Sequence, residues 1–237
     1  MMQSANKPVI WMAGDSTMQS YAEEKRPQWG WGEKLLEALE ETSRDDIEIF
    51  HRVSSPFETQ KRYEGQTYIV DNCAMAGRSS KTFREEGRLA DIEAHIQPGD
   101  YLIIQFGHND AGKGKPERYV ALEDFKASLE TYVRVAVAHQ ATPVFLSSIV
   151  LCPSPETLSG EAGEIGRLLP EYGKVMKAYA EEIGCLFIDI NERSGKLIDT
   201  LPKEEAEKLY LADHVHLRES GAAIYAGFAA EGLKTIL

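Results

Sequence analysis

The chain has 237 residues, 43% hydrophobic and 27% charged, the composition of an ordinary globular domain large enough to bury a substantial core. Its formal net charge of -12 opposes nonspecific binding to nucleic acid or to an anionic membrane. No run approaches the eighteen or so uninterrupted apolar residues that span a bilayer, and residues 1–7 carry no signal-peptide pattern, so a single cytoplasmic domain over 1–237 is expected. Cys73, Cys152 and Cys185 are odd in number, lack metal-type spacing and sit in or at the end of apolar runs. They read as small buried hydrophobes, with neither a disulfide framework nor a metal site.

The first element, Val9-Ile10-Trp11-Met12-Ala13, is an apolar run of strand length that stops at Gly14 and delivers Asp15-Ser16-Thr17 to the edge of a sheet. Two readings are open for that string. Asp, Ser and Thr cap helices that follow strands. Ser16 is also placed as a nucleophile, which would need an imidazole, a carboxylate to orient it and donors for an oxyanion. A polar segment at 18–28 leads to Trp29-Gly30-Trp31-Gly32, whose glycines allow close backbone approach, and then to a helical pattern through Leu35, Leu36 and Leu39. The tryptophans either wall a pocket or pack beneath that helix.

Residues 47–50 and 67–73 read as strands, with the polar stretch 51–66 between them as an excursion or hairpin beyond the core. The second of these strands ends in Asn72-Cys73-Ala74-Met75-Ala76-Gly77-Arg78-Ser79-Ser80, before a helix running to about residue 95. Gly77 is there either for a tight turn or to turn its N–H outward as an oxyanion donor. After the turn at 97–100, Tyr101 to Phe106 form a strong strand that ends in Gly107-His108-Asn109-Asp110, where Asn109 either closes its own turn or offers its amide to an oxyanion.

A helix is expected over 122–139, a strand over 143–151, a helix over 170–183 and a last strand over 185–190, followed by two shorter helical patterns. Strands alternating with helices in this way predict a parallel sheet covered on both faces. Close to the end, Asp213 and His216 are three apart, a spacing that puts both on one side of a helical turn, so that the carboxylate can hold one ring nitrogen while the other faces Ser16. His214 then points elsewhere, and an amphipathic helix runs to Leu233.

Taken in order, Gly14-Asp15-Ser16-Thr17, Gly77 after a strand, Gly107-His108-Asn109-Asp110 and Asp213-x-x-His216 resemble the blocks of the SGNH (GDSL-like) hydrolases. The resemblance extends from Val9 to the terminal helix. Gly30-Trp31-Gly32, Gly77-Arg78-Ser79-Ser80 and the Gly-His-Asn-Asp run look most like rhamnogalacturonan acetylesterases, carbohydrate esterase family 12. The resemblance implies a three-layer α/β/α, flavodoxin-like fold with a central parallel sheet of about five strands. It also implies no metal or organic cofactor, and an acetylated oligosaccharide as the partner.

By the same resemblance Ser16 is the nucleophile, His216 the general base and then acid, and Asp213 its orienting carboxylate. The amides of Ser16 and Gly77 and the side chain of Asn109 form the oxyanion hole, while Asp15, Arg78, His108 and Asp110 support those loops or contact substrate. A lysophospholipase or thioesterase of the same superfamily and a noncatalytic carbohydrate-binding scaffold are the alternatives. Arg78, Lys81, Lys113, Lys115 and Arg118 follow two of the site-forming strands; they either offset the overall negative charge where an anionic pectic substrate docks or form a solvated, salt-paired face. The stretches 51–66 and 153–169 match no pattern that defines a substrate.

Overall fold

The computed structural model describes residues 7–52, 54–152 and 158–237. Seven strands form one sheet: β1 (Val9–Gly14), β2 (Glu48–His51), β3 (Lys61–Glu64), β4 (Ile69–Asn72), β5 (Tyr101–Gln105), β6 (Thr142–Leu146) and β7 (Leu186–Ile188). The helices are α1 (Leu35–Glu40), α2 (Ser80–Glu85), α3 (Arg88–Glu93), α4 (Leu122–Ala138), α5 (Gly160–Ile183), α6 (Ile190–Thr200), α7 (Lys203–Glu207) and α8 (Glu219–Leu233). None of them is long and apolar enough to cross a membrane, among the described residues.

The strand order is β2-β3-β4-β1-β5-β6-β7, in which β4, β1, β5, β6 and β7 run parallel. This is the expected parallel core of about five strands in the flavodoxin-like order. Its interior strands are covered on both faces, and their two-residue period divides the core. Ile10, Met12, Ile103, Val144 and Leu146 point to the face covered by α1, α6 and α8. Trp11, Ala13, Leu102, Ile104 and Phe145 point to the face covered by α2 to α5. Alanines let α8 lie close: Ala222, Ala226, Ala229 and Ala230 are buried, and a Cβ on Gly232 would come within 2.6 Å of Ile188.

After β1 the chain runs to the far edge of one side and builds back inward through β2, β3 and β4 to the flank of β1, then crosses over to place β5 on the other side. The carboxyl ends of β1 and β5 therefore flank the point where the strand order reverses, which is where doubly wound sheets open a crevice for ligands. The loops carrying Ser16, Gly77 and His108 to Asp110 leave the sheet at that edge.

The structure corrects four local expectations. The stretch 51–66, expected as an excursion or hairpin beyond the core, does form a hairpin, but its second arm is β3, a strand of the sheet itself that pairs antiparallel with β2 and β4. Its pattern is hidden because the paired charges do the work of apolar side chains: Arg62 grips the buried Asp71 at 2.6 Å, and buried Tyr63 bonds Ser20 through its hydroxyl at 2.8 Å. The helix expected to reach residue 95 is divided into α2 and α3 at Gly87, whose φ of 81° interrupts it.

The strand expected over 143–151 ends at Leu146, and residues 147–151 continue as buried loop. Helix α5, expected over 170–183, begins at Gly160, ten residues before Pro170, which lies inside the helix. Gly160, Gly163 and Gly166 hide the start of the helix, although Ile165, Leu168, Leu169 and Tyr172 recur on one side at helical spacing. Of the uninterpreted stretch 153–169, residues 153–157 lie outside the described residues.

Candidate active site

At the end of β1, Gly14 is closely packed: a Cβ there would come within 2.7 Å of Met18 Sδ and 3.1 Å of the Gln105 carbonyl oxygen. The helix-capping reading of Gly-Asp-Ser-Thr is corrected: no helix directly follows β1, and Asp15 instead closes a turn. Fully buried, it accepts the Thr17 N–H and Oγ1–H through Oδ1, each at 2.9 Å, and its carbonyl accepts from Gln19 N–H at 3.1 Å. With the turn closed by its neighbour, Ser16 keeps its own N–H free. It is 7% exposed and lines a cavity, with its carbonyl accepting from the Tyr21 hydroxyl at 2.7 Å.

Asp15 also faces His108, whose Nδ1 donates to Oδ2 at 3.1 Å while Nε2 donates to the Ile149 carbonyl at 3.0 Å. Both ring nitrogens meet acceptors, so the ring is held as the imidazolium and the two groups form a buried ion pair. Burial alone would lower the His108 pKa, but the Asp15 carboxylate outweighs it and the pKa is raised. Burial would likewise raise Asp15, and His108 reverses the direction. This pair ties the loop after β1 to the loops after β5 and β6.

Asp110 accepts from Ser80 N–H at 3.0 Å and from the Ser80 hydroxyl at Oδ1, while its buried Oδ2 has no partner among the described residues. Burial pushes its carboxyl up to about 7; the bonds from Ser80 oppose this and the Asp15 charge adds to it. The unfolded chain loses this proton near the ordinary 3.8 and the folded chain near 7, so between those values the folded state holds the extra proton and stability falls as pH rises. Asp110→Asn, neutral throughout, lacks that dependence. In urea unfolding compared at about pH 4 and about pH 8, the variant gains on the wild type by on the order of 4 kcal/mol at the higher pH. A difference that stays constant with pH contradicts a raised Asp110.

Asp213 and His216 meet as expected, but not on a helix. They sit in a loop before α8 in which His214 has a φ of 66°. Asp213 Oδ1 accepts from Val215 N–H at 3.0 Å and His216 N–H at 2.9 Å, and Oδ2 accepts from His216 Nδ1 at 2.7 Å. A side-chain-closed turn brings residues three apart together as well as a helix does. Burial would raise the Asp213 carboxyl, but the His216 ring and these two N–H groups outweigh it and hold it far below the usual carboxylate range.

The loop is anchored by Trp29, whose N–H donates to the Leu217 carbonyl at 2.9 Å and whose ring carries the Arg26 guanidinium at 3.4 Å. Trp31 is fully buried, donating to Gln105 Oε1 at 2.8 Å. Neither tryptophan walls the cavity. Gly30 and Gly32 do permit close backbone approach, since a Cβ on either would come within 2.4 Å or less of a carbonyl oxygen at Gln19 or Met18.

Gly77 has a φ of 78°, and a Cβ there would meet only Arg118 Nη1, at 3.7 Å, so the requirement for glycine is one of backbone conformation. Among the described residues neither the Gly77 N–H nor the Ser16 N–H has an acceptor. Asn109 donates one N–H of its amide to the Arg78 carbonyl at 2.9 Å, which leaves the other uncommitted.

Ser16, Gly77, His108, Asn109 and His216 share the wall of one cavity of about 480 Å³, without a direct hydrogen bond between the Ser16 hydroxyl and the His216 ring. Asp15, Asp110 and Asp213 do not line it; Asp15 and Asp213 hold His108 and His216, which do. The Arg78 side chain does not line it: the guanidinium pairs with Glu86 at 2.9 Å, and the residue acts through its carbonyl on Asn109.

Leu151, Glu161, Ala162, Ile165 and Val215 also line the cavity and were not singled out from the sequence. Three of these belong to the first turns of α5, and the signal for them was the helical spacing of Ile165, Leu168, Leu169 and Tyr172, masked by glycines.

Known proteins resemble this chain over most of its length. Rhamnogalacturonan acetylesterase RhgT of Bacillus subtilis is 31% identical over 245 residues, covering 97% of this chain and 91% of its own length. The probable rhamnogalacturonan acetylesterase YesY of the same organism is 32% identical over 233 residues, covering 96% and 93%. The solved structure of B. subtilis protein YXIM superposes with a TM-score of 0.73 at 24% identity, covering 97% of this chain and 56% of that one, and shares the fold. Residues 12–224, from within β1 into α8, match a single family, and the chain belongs to it: the GDSL-like lipase/acylhydrolase family of carboxylic ester hydrolases.

Proposed function

We propose that the protein is a serine esterase that removes acetyl groups from acetylated carbohydrate, with rhamnogalacturonan oligosaccharides of pectin as its substrate. The observation that carries this reading is the convergence on one cavity of the Ser16 hydroxyl, a carboxylate-held His216 ring and two unclaimed main-chain N–H groups beside Asn109. The names of the relatives RhgT and YesY support the acetyl and rhamnogalacturonan parts of it.

In the reaction, Ser16 Oγ attacks the acetyl carbonyl as His216 Nε2 takes its proton, and Asp213 steadies the ring charge that forms. The carbonyl electron pair moves to oxygen, which receives the N–H groups of Ser16 and Gly77 and the free N–H of Asn109. Collapse breaks the ester bond and the sugar alcohol leaves with the proton from His216. Water, deprotonated by the same ring, then attacks the acetyl-enzyme and releases acetate. Asp15, His108 and Asp110 hold the loops that carry these groups.

The test is acetate release from acetylated pectic and xylan oligosaccharides, with a series of longer acyl esters alongside. The expected result is preference for acetyl over longer chains and for the pectic over the xylan substrate. Preference for long acyl groups favours the lysophospholipase or thioesterase reading instead. Asn109→Ala is expected to lower kcat by on the order of a hundredfold or more, because one oxyanion donor is lost; near-normal turnover removes Asn109 from that role.

A further inference from the structure

The structure separates the five cations that follow the site-forming strands. Arg78 is taken by Glu86 at 2.9 Å and Lys113 by Glu164 at 3.4 Å, while Lys81 borders a different hollow beside Arg84 and Tyr119. Only Lys115 and Arg118 of the five reach the cavity that holds Ser16. Arg26, Arg44, Arg52, Arg62, Arg78, Arg88 and Arg193 each have a carboxylate partner; Arg118, like Arg84, Arg134 and Arg218, has none among the described residues, but of these four it is the one that lines this cavity, and its buried Nε has no acceptor.

Its two terminal nitrogens lie within 3.7 and 3.8 Å of where Cβ atoms on Gly77 and Gly112 would sit, so the guanidinium end rests on the glycine whose N–H faces the reacting oxygen in the mechanism above. The one carboxylate on the same wall, Glu161, lies against Gly114 and reaches within 3.7 Å of the same Gly112 Cβ position that Arg118 Nη2 faces at 3.8 Å, so it neighbours the guanidinium without forming an ion pair with it. In a chain of net charge -12, an unpaired guanidinium beside the reaction centre is a charge left for something else to neutralise.

We propose that Arg118 is the specificity-determining residue for an acidic substrate, its guanidinium receiving the carboxylate of a uronic acid unit that adjoins the acetylated sugar. A planar fork of donors matches a carboxylate in two parallel bonds, a match that the flexible ammonium of Lys115 cannot replace. Lys115, at the exposed rim, adds attraction over a longer range. The inference rests on the carbohydrate acetylesterase reading and names the residue through which its acidic substrate is selected.

The experiment measures kcat/KM and KM for acetate release from an acetylated uronate-containing oligosaccharide and from an acetylated neutral xylo-oligosaccharide, using wild type, Arg118→Gln and Arg118→Lys. The wild type is expected to prefer the acidic substrate, and added salt to weaken that preference. Arg118→Gln is expected to lower the acidic-to-neutral ratio of kcat/KM by roughly 10- to 100-fold, chiefly through KM, with Arg118→Lys between the two.

An acidic preference that survives in Arg118→Gln overturns this assignment while leaving the esterase reading intact, and so does an equal loss on both substrates. A wild type that releases acetate from neither oligosaccharide overturns the parent reading and the inference with it.

Discussion

Replacement of Ser16 by alanine is expected to lower acetate release by roughly four to six orders of magnitude, because in the proposed mechanism the attacking atom is then gone and only binding and the oxyanion donors remain to help water. The fold is expected to tolerate the change. The Ser16 hydroxyl makes no hydrogen bond among the described residues, and the turn is closed by Asp15. Urea unfolding of the variant should therefore lie within about 0.5 kcal/mol of wild type, the range of a substitution that breaks no buried contact. Initial rates on acetylated oligosaccharide together with the unfolding midpoint separate this outcome from mere misfolding, which would move both.

The second large effect is expected from Asp213→Asn, with a loss in kcat of about ten-thousandfold. The asparagine oxygen can keep both main-chain N–H bonds, from Val215 and His216, so the loop retains its shape. Its amide nitrogen then faces His216 Nδ1, where a carboxylate oxygen had stood at 2.7 Å. Two donors cannot share that contact, so the ring must present a bare Nδ1 and carry its proton on Nε2, the nitrogen that has to accept from Ser16. An Asp213→Asn enzyme that keeps more than about a tenth of wild-type kcat would contradict this role for the carboxylate.

The site was legible because a parallel sheet puts its chemistry at one edge. Strands buried on both faces are read as uninterrupted apolar runs, so β1 and β5 announced themselves, and the first polar residues after each run were bound to emerge together. The spacing of Asp213 and His216 gave the pair but not its backbone, since an Asp-closed turn and a helical turn both bring side chains three apart into contact.

What escaped was structure built from pairing rather than pattern. Strand β3 buries a single aromatic and satisfies Arg62 through Asp71, a partner nine residues away that no local window can identify. The same holds for the basic cluster, where the charges were visible but not that Glu86 and Glu164 claim two of them and leave Arg118 unpaired. The beginning of α5 escaped for a different reason: Gly160, Gly163 and Gly166 are weak helix formers. One of them is also demanded by contact, since a Cβ on Gly163 would come within 2.3 Å of the Leu158 carbonyl. Tertiary packing overrides propensity there, and so the sequence hid the helix that lends Ala162 and Ile165 to the cavity.

The most direct test is to mix the enzyme with para-nitrophenyl acetate, quench it in acid within the first turnover and map the peptides by mass. One acetyl group should be found on Ser16, formed in a burst, absent from Ser16→Ala and slow to appear in Asp213→Asn. An acetyl group found on a different residue, or a Ser16→Ala enzyme that turns over acetylated oligosaccharide at the wild-type rate, would contradict it.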